Sequence, residues 1–203
     1  MPIPPSLQTS LSAIILAGGH STRMGQDKAL IEIEGVPLLQ RTCSYAQAVV
    51  SDVYVVTPWG DRYQEVIECQ IIPELSLPHE SPPHGPLVGL YQGMQQVKTP
   101  WVLALACDLP KLTVAELEFW VQQLANVSED VIALIPRSSA GWEPLCGFYH
   151  QSCQGLFADY ITRGGRSFQR FLDQHSVAEL TMRDRATLFN CNTPEDLAQI
   201  EIK

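Results

Sequence analysis

Two cations close behind a pair of glycines are the residues of this chain best suited to chemistry. Residues 14–28 read IILAGGHSTRMGQDK. Gly18 and Gly19 carry no Cβ and tolerate φ > 0, so their backbone N–H groups can come close to an anion. Ser21 and Thr22 add hydroxyl donors, Arg23 offers a planar fork for bidentate contact, and Lys28 supplies a point charge. Gly25 marks a second turn. This convergence of donors predicts a loop that cradles a triphosphate; the plainer alternative is a strand followed by an ordinary glycine turn. Two familiar phosphate-binding patterns fit badly. The dinucleotide fingerprint requires G-x-G-x-x-G, and the spacing here is GGHSTRMG. The Walker loop places its lysine directly after a glycine, whereas Lys28 comes two places late.

A second constellation lies at residues 103–110, LALACDLP. Asp108 falls just past an apolar run, where an unpaired carboxylate is costly to bury. Such an acid is a natural ligand for Mg²⁺, which prefers oxygen donors and completes its shell with water and phosphate oxygens. Capping of the next helix or turn is the alternative. Asn190 and Asn192, in NCNTPEDL, fall at another strand end, where their amides could reach a ligand or simply form a turn. Arg163 and Arg166 flank Gly164-Gly165 and read equally as anion contacts or as a solvated helix end.

The elements that must position these residues alternate. Residues 13–16, 52–57, 70–72, 101–106, 131–135 and 145–149 read as strands, with a further short strand at 188–189. Residues 36–49, 61–68, 87–97, 113–124, 152–161 and 167–173 read as helices, and Thr193-Pro194 opens a last one with an N-cap and a proline at N1. Thr113 and Glu116 have capping-box spacing. The run at 101–106 is apolar throughout, as in a central strand covered on both faces. Five prolines within residues 73–86 exclude regular structure there and predict a mobile loop beside the glycine turn. The pattern predicts an α/β fold, doubly wound, with a mostly parallel sheet flanked by helices. Ligands in such folds bind at the carboxyl ends of strands, which puts Gly18 and Asp108 on one rim.

Composition narrows the class. A chain of 203 residues fits one domain, expected over residues 12–203 behind a flexible lead at residues 1–11. A net charge of −9 argues against a nucleic-acid partner, which wants a basic face. It also requires that a polyanionic ligand be met by local cations and a metal ion. No apolar run is long enough to span a bilayer, and the N-terminus lacks the pattern of a secretory signal, so a cytoplasmic protein is expected with no membrane partner. None of the six cysteines has C-x-x-C spacing, so reduced core thiols are expected.

The first motif resembles the L-A-[AG]-G-x-S-x-R-M-G signature, followed by a lysine, of nucleotidyltransferases. The double glycine and the Asp27-Lys28 pair are most similar to the molybdenum cofactor guanylyltransferases. Weaker similarities are GPLVGL at Gly85 to Leu90 and the NCNTPEDL ending, so the resemblance runs from about Ser12 to Leu197. It implies a Rossmann-like nucleotidyltransferase fold and transfer of GMP from GTP to the phosphate of molybdopterin, or of the molybdenum cofactor. Pyrophosphate would be released and the guanine dinucleotide cofactor formed. It further implies Mg²⁺ held by Asp108, and Arg23, Lys28 and Asp108 as catalytic residues. Leu16, Ala17, Gly18, Gly19, Lys28, Glu74 and Asp108 would contact the nucleotide, Asn190 and Asn192 the acceptor, and molybdoenzymes that carry or accept the cofactor would be protein partners. The family's asparagine after the second strand is replaced by Thr57-Pro58-Trp59, and its aspartate after the third by Glu74. Trp142-Glu143-Pro144-Leu145 falls on the acceptor side. A cytidylyltransferase or sugar- or polyol-phosphate nucleotidyltransferase of the same fold is the nearer alternative, a non-catalytic nucleotide-binding regulator the more distant one.

Overall fold

The computed structural model describes residues 10–19, 24–77, 81–82 and 84–201. In chain order the elements are β1 (Leu11–Leu16), β2 (Glu32–Ile33), β3 (Val36–Pro37), α1 (Leu38–Gln47), β4 (Asp52–Thr57), α2 (Gly60–Tyr63), β5 (Gln70–Pro73), α3 (Pro86–Met94), β6 (Trp101–Ala106), α4 (Val114–Gln123), β7 (Ala133–Ile135), β8 (Arg137–Ser138), β9 (Gly141–Trp142), β10 (Cys146–His150), α5 (Cys153–Thr162), α6 (Phe168–Leu172), β11 (Val177–Glu179) and α7 (Pro194–Glu201). Seven strands form one sheet in the order β11-β7-β10-β6-β1-β4-β5. β1 pairs in parallel with β4 and β6, and β5 extends the parallel side. β10 runs antiparallel to both of its neighbours.

Every residue of β1 is buried, and its side chains alternate between two apolar layers. Ala13 and Ile15 join Val55, Leu39, Trp120 and Phe148 on one face. Ile14 and Leu16 join Val56, Leu87, Tyr149, Phe157 and Phe171 on the other. This period of two is what a strand covered on both sides imposes. Each Val, Leu, Ile or Phe side chain among these contributes roughly 1.5–3 kcal/mol by burial. Burial thus fixes the central strands, while the rim loops are fixed mainly by hydrogen bonds and caps.

Several boundaries differ from the sequence reading. The expected helix over residues 36–49 begins only at Leu38, because Val36–Pro37 instead pairs with Glu32–Ile33 in a hairpin. A residue before proline is steered toward extended backbone, and Glu34 and Gly35 at φ 55° and 75° supply the doubly left-handed turn that suits a tight hairpin. The helix expected over 61–68 is confined to Gly60–Tyr63. The strand expected at 188–189 is replaced by a 3₁₀ turn at Arg185–Leu188, which Asp184 caps by accepting from the Ala186 N–H. The edge strand β11 and the hairpin β8–β9 carried no sequence expectation.

The mobile loop expected over residues 73–86 lies partly outside the described residues, at 78–80 and 83. Its described ends are anchored. The Gln92 side chain accepts from the Leu75 N–H at 2.8 Å and donates to the Leu75 carbonyl at 2.9 Å. The Glu74 carboxylate accepts from the His84 N–H at 2.7 Å.

Candidate active site

The chain crosses one rim of the sheet at the ends of β1, β4, β5 and β6, and a cleft of about 430 Å³ opens there. Leu16, Ala17, Gly18, Gly19, Lys28, Glu74, Gly85, Pro86 and Asp108 line it. The strand ends are tied together. Ala17 N–H donates to the Val56 carbonyl at 3.0 Å, and the Thr57 hydroxyl donates to the Ala17 carbonyl at 2.9 Å. Glu74 N–H donates to the Thr57 carbonyl at 3.0 Å. Thr57, where the family resemblance leads one to expect an asparagine nearby, thus braces the glycine turn from below.

Gly19 does not take the left-handed conformation its sequence context allowed. Among the described residues other than its chain neighbours, no atom lies within 4 Å of the place where a Cβ would stand. Gly25 does turn the chain, at φ 68°. Gly85, at φ 92°, lets the chain enter α3 with Pro86 in its first turn, aiming that helix's N-terminal end at the cleft. Arg23, Ser21 and Thr22 lie outside the described residues.

Lys28 and Asp108 are separated by 80 residues in sequence and meet at 3.4 Å, both about one-sixth exposed. Burial pushes the Asp108 carboxyl above its ordinary value, while the charge and hydrogen bond of Lys28 oppose the shift. Lys28 also donates to the amide oxygen of Asn192. Asn192 is held in turn by the opening of α7: its N–H and that of Thr193 both donate to Asp196 at 2.8 Å, and Asp196 N–H donates back to the Thr193 hydroxyl. These backbone donors hold the Asp196 carboxyl below its ordinary value. The Cys191 N–H donates to the Asp108 carbonyl at 3.0 Å, so the C-terminal segment is latched onto the end of β6. The structure therefore gathers Leu16 to Gly19, Lys28, Glu74, Asp108 and Asn192 in one place. Asn190, one residue before this latch, is half-buried. Arg166 is spent elsewhere: its guanidinium donates to the carbonyls of Ile161 and Gly165 at the end of α5.

Sequence reasoning missed three neighbours. Asp27 lines the cleft and caps the turn that carries Lys28, by accepting from the Ala29 N–H at 3.1 Å; an aspartate just before a short helical turn was the available signal. Tyr63 and Cys107 also line the cleft, and neither is announced by its local sequence. The Cys107 thiol is pushed up by burial and by the nearby carboxylates of Asp108 and Asp27. All six cysteines are free thiols, four of them buried.

A doubly wound sheet with a charged cleft at its switch point, beside a glycine turn, defines an α/β nucleotide-binding protein. Comparison with known proteins makes this more specific. Residues 13–179 match the model of the MobA-like NTP transferase domain, and the chain belongs to that family. It is 52% identical over 95% of its length to a protein of Trichormus variabilis named "Probable molybdenum cofactor guanylyltransferase", covering 91% of that relative. It is 31% identical over 94% of its length to the molybdenum cofactor guanylyltransferase of Yersinia pestis, covering 94% of it. Among solved structures, molybdopterin-guanine dinucleotide biosynthesis protein A from Archaeoglobus fulgidus shares the fold with a TM-score of 0.77 at 21% identity, over 94% of this chain and 96% of that one.

Proposed function

We propose that this protein transfers GMP from GTP to the terminal phosphate of molybdopterin and releases pyrophosphate. An acceptor phosphate oxygen attacks the α-phosphorus; a P–O bond forms there as the bond to the β-phosphate bridge breaks, and pyrophosphate carries the electron pair away. No protein nucleophile is needed, so catalysis rests on positioning and on charge placed in advance. The observation that carries this reading is the meeting of Lys28 and Asp108 in the cleft that Gly18 and Gly19 also line.

Lys28 neutralises charge that grows on the α-phosphoryl group. The N–H groups of the glycine turn, together with Arg23, hold the departing pyrophosphate. Leu16 and Ala17 flank the nucleoside. One oxygen of Glu74 is committed to the His84 N–H, which leaves the other to accept from the N1–H and 2-amino edge of guanine. Asn190 and Asn192 face the acceptor. Asp108 is the residue that would hold Mg²⁺, with the Asn192 amide oxygen next to the same lysine. The fit is good, because burial disfavours the carboxylate charge more than Lys28 offsets it, so a further cation is favoured there, and Mg²⁺ takes one or two protein carboxylates with phosphate oxygens completing its shell. When bound, the ion supplies charge neutralisation at the phosphates. The reaction belongs in the cytoplasm, where GTP is available, and among the described residues no helix is long and apolar enough to cross a membrane. Molybdoenzymes that receive the product are the protein partners this role calls for.

The test incubates the protein with Mg²⁺, molybdopterin and each of the four nucleoside triphosphates, and records pyrophosphate. GTP alone should support release. Lys28→Ala and Asp108→Ala should each lower the rate by on the order of 10²–10³ while the chain stays folded. Preference for CTP, or full activity in either variant, would refute the assignment.

A further inference from the structure

We infer that Tyr63 and Asp27 form a clamp that orders the catalytic lysine, Tyr63 being a positioning residue that acts through Asp27. The inference deepens the reading above and rests on it only for the consequence in turnover. Lys28 begins a 3₁₀ turn of three residues, Lys28–Leu30. A turn that short has little stability of its own, because its ordering entropy is set against very few internal hydrogen bonds. It is held from outside. Asp27 Oδ1 accepts from the Ala29 N–H at 3.1 Å. Asp27 Oδ2 accepts from the Tyr63 hydroxyl at 2.8 Å and faces the Arg62 guanidinium at 3.6 Å.

The two holders differ. The Arg62 side chain is 55% exposed, so its pairing with Asp27 is screened by water and contributes little. Arg62 also stacks over the Trp59 ring, at 4.9 Å from its centre. Tyr63 is 1% exposed and its ring packs in the apolar layer with Leu39, Val55 and Ile67. Its hydroxyl therefore has a fixed direction, and it fixes the Asp27 carboxylate against the turn. A lysine carries much rotamer freedom on a flexible four-carbon stem, so a turn that wavers spreads Nζ over many positions. The clamp thus runs from the core through Tyr63 and Asp27 to the Ala29 N–H of the turn that Lys28 begins, and the Lys28 ammonium reaches Asp108 and Asn192.

The test uses the full-length protein and Tyr63→Phe, which keeps the ring in the core and removes only the hydroxyl. The chain has four lysines, Lys28, Lys98, Lys111 and Lys203, so ¹³Cε-lysine labelling gives four signals, with that of Lys28 assigned by Lys28→Arg. Without any substrate, the Lys28 signal should show markedly greater ns-timescale mobility in Tyr63→Phe while that of Lys98 stays unchanged. In turnover, kcat should fall roughly 10–100-fold, the scale for losing a partner that orients a functional group, with KM for GTP within about twofold because the uniform binding contacts remain. Asp27→Ala, which removes both acceptor oxygens, should reproduce the mobility change and serves if Tyr63→Phe does not fold. Unchanged Lys28 mobility in both variants overturns the inference, as does a loss of activity that follows only the folded fraction. If the wild type turns over no triphosphate while the mobility change is seen, the functional reading fails and the clamp stands.

Discussion

Asp108 carries two conflicting demands, and pH separates them. A carboxylate suited to binding a cation must be available at the rim, yet burial there disfavours its charge and raises its pKa above the ordinary 3.8. Between the two values the folded chain keeps a proton that the unfolded chain has released. The unfolded state then binds fewer protons, so stability falls as pH rises through that window. Asp108→Asn removes this loss. The difference in Tm between Asp108→Asn and wild type should therefore grow in favour of the variant as pH rises from 3.8 through the folded value, then level off. Thermal melts across that range, without metal or nucleotide, would show it; a constant difference would mean that Asp108 is not strained by burial. Gain of stability on loss of a functional charge is the usual mark of a site held for chemistry.

At the scale of elements, two glycines separate backbone need from mere tolerance. Gly85 enters α3 at φ 92°, and among the described residues other than its chain neighbours no atom lies within 4 Å of a Cβ placed there. Gly85→Ala should cost the backbone conformation at φ 92° and ψ 165°, essentially reserved for glycine, roughly 1–3 kcal/mol, a fall in Tm of about 2–12 °C for a chain of this size, and it should also weaken GTP binding because the end of α3 borders the cleft. Gly155 lies within α5 with equally open space and ordinary backbone, so Gly155→Ala should stabilise by about 0.4–1 kcal/mol with GTP affinity unchanged. Calorimetry of both variants checks the pair. The same contrast explains what the sequence made legible. β1 and β6 were readable as apolar runs and β4 as a β-rich run between Ser51 and Pro58, and the capping residues Thr113 and Thr193 announced α4 and α7. The antiparallel direction of β10 was not, since a strand buried on both faces reads alike either way. Val36 was lost to a helix because the pattern of α1 continues backwards through it, and only the left-handed pair Glu34-Gly35 reveals the hairpin. Asp108 and Lys28 were found through local motifs that happened to end at the rim. Tyr63 was not, because its role exists only once α2 has brought it across 36 residues to Asp27.

For the whole molecule, the notable balance is a net charge of −9 on a protein proposed to bind a polyanion. The general field repels such a ligand, so binding must come from the few donors focused at the cleft. Binding to the folded state alone should then stabilise the entire sheet, since the cleft joins residues from β1, β4, β5, β6 and the latch before α7. At 100 times its Kd, GTP should add about 2.7 kcal/mol, raising Tm by roughly 5–10 °C, with CTP giving much less at the same concentration. Differential scanning fluorimetry with the two nucleotides checks this, and equal shifts would locate base selection away from Glu74.

The central claim is that Lys28 and Asp108 serve one triphosphate seated on the Gly18-Gly19 turn. A crystal structure of the protein with Mg²⁺ and a non-hydrolysable GTP analogue measures it most directly. The account predicts an α-phosphate oxygen at about 2.7–2.9 Å from Lys28 Nζ and the Asp108 carboxylate on the metal that bridges the phosphates. A nucleotide bound outside this cleft, or one whose phosphates leave the Lys28–Asp108 pair untouched, would contradict it.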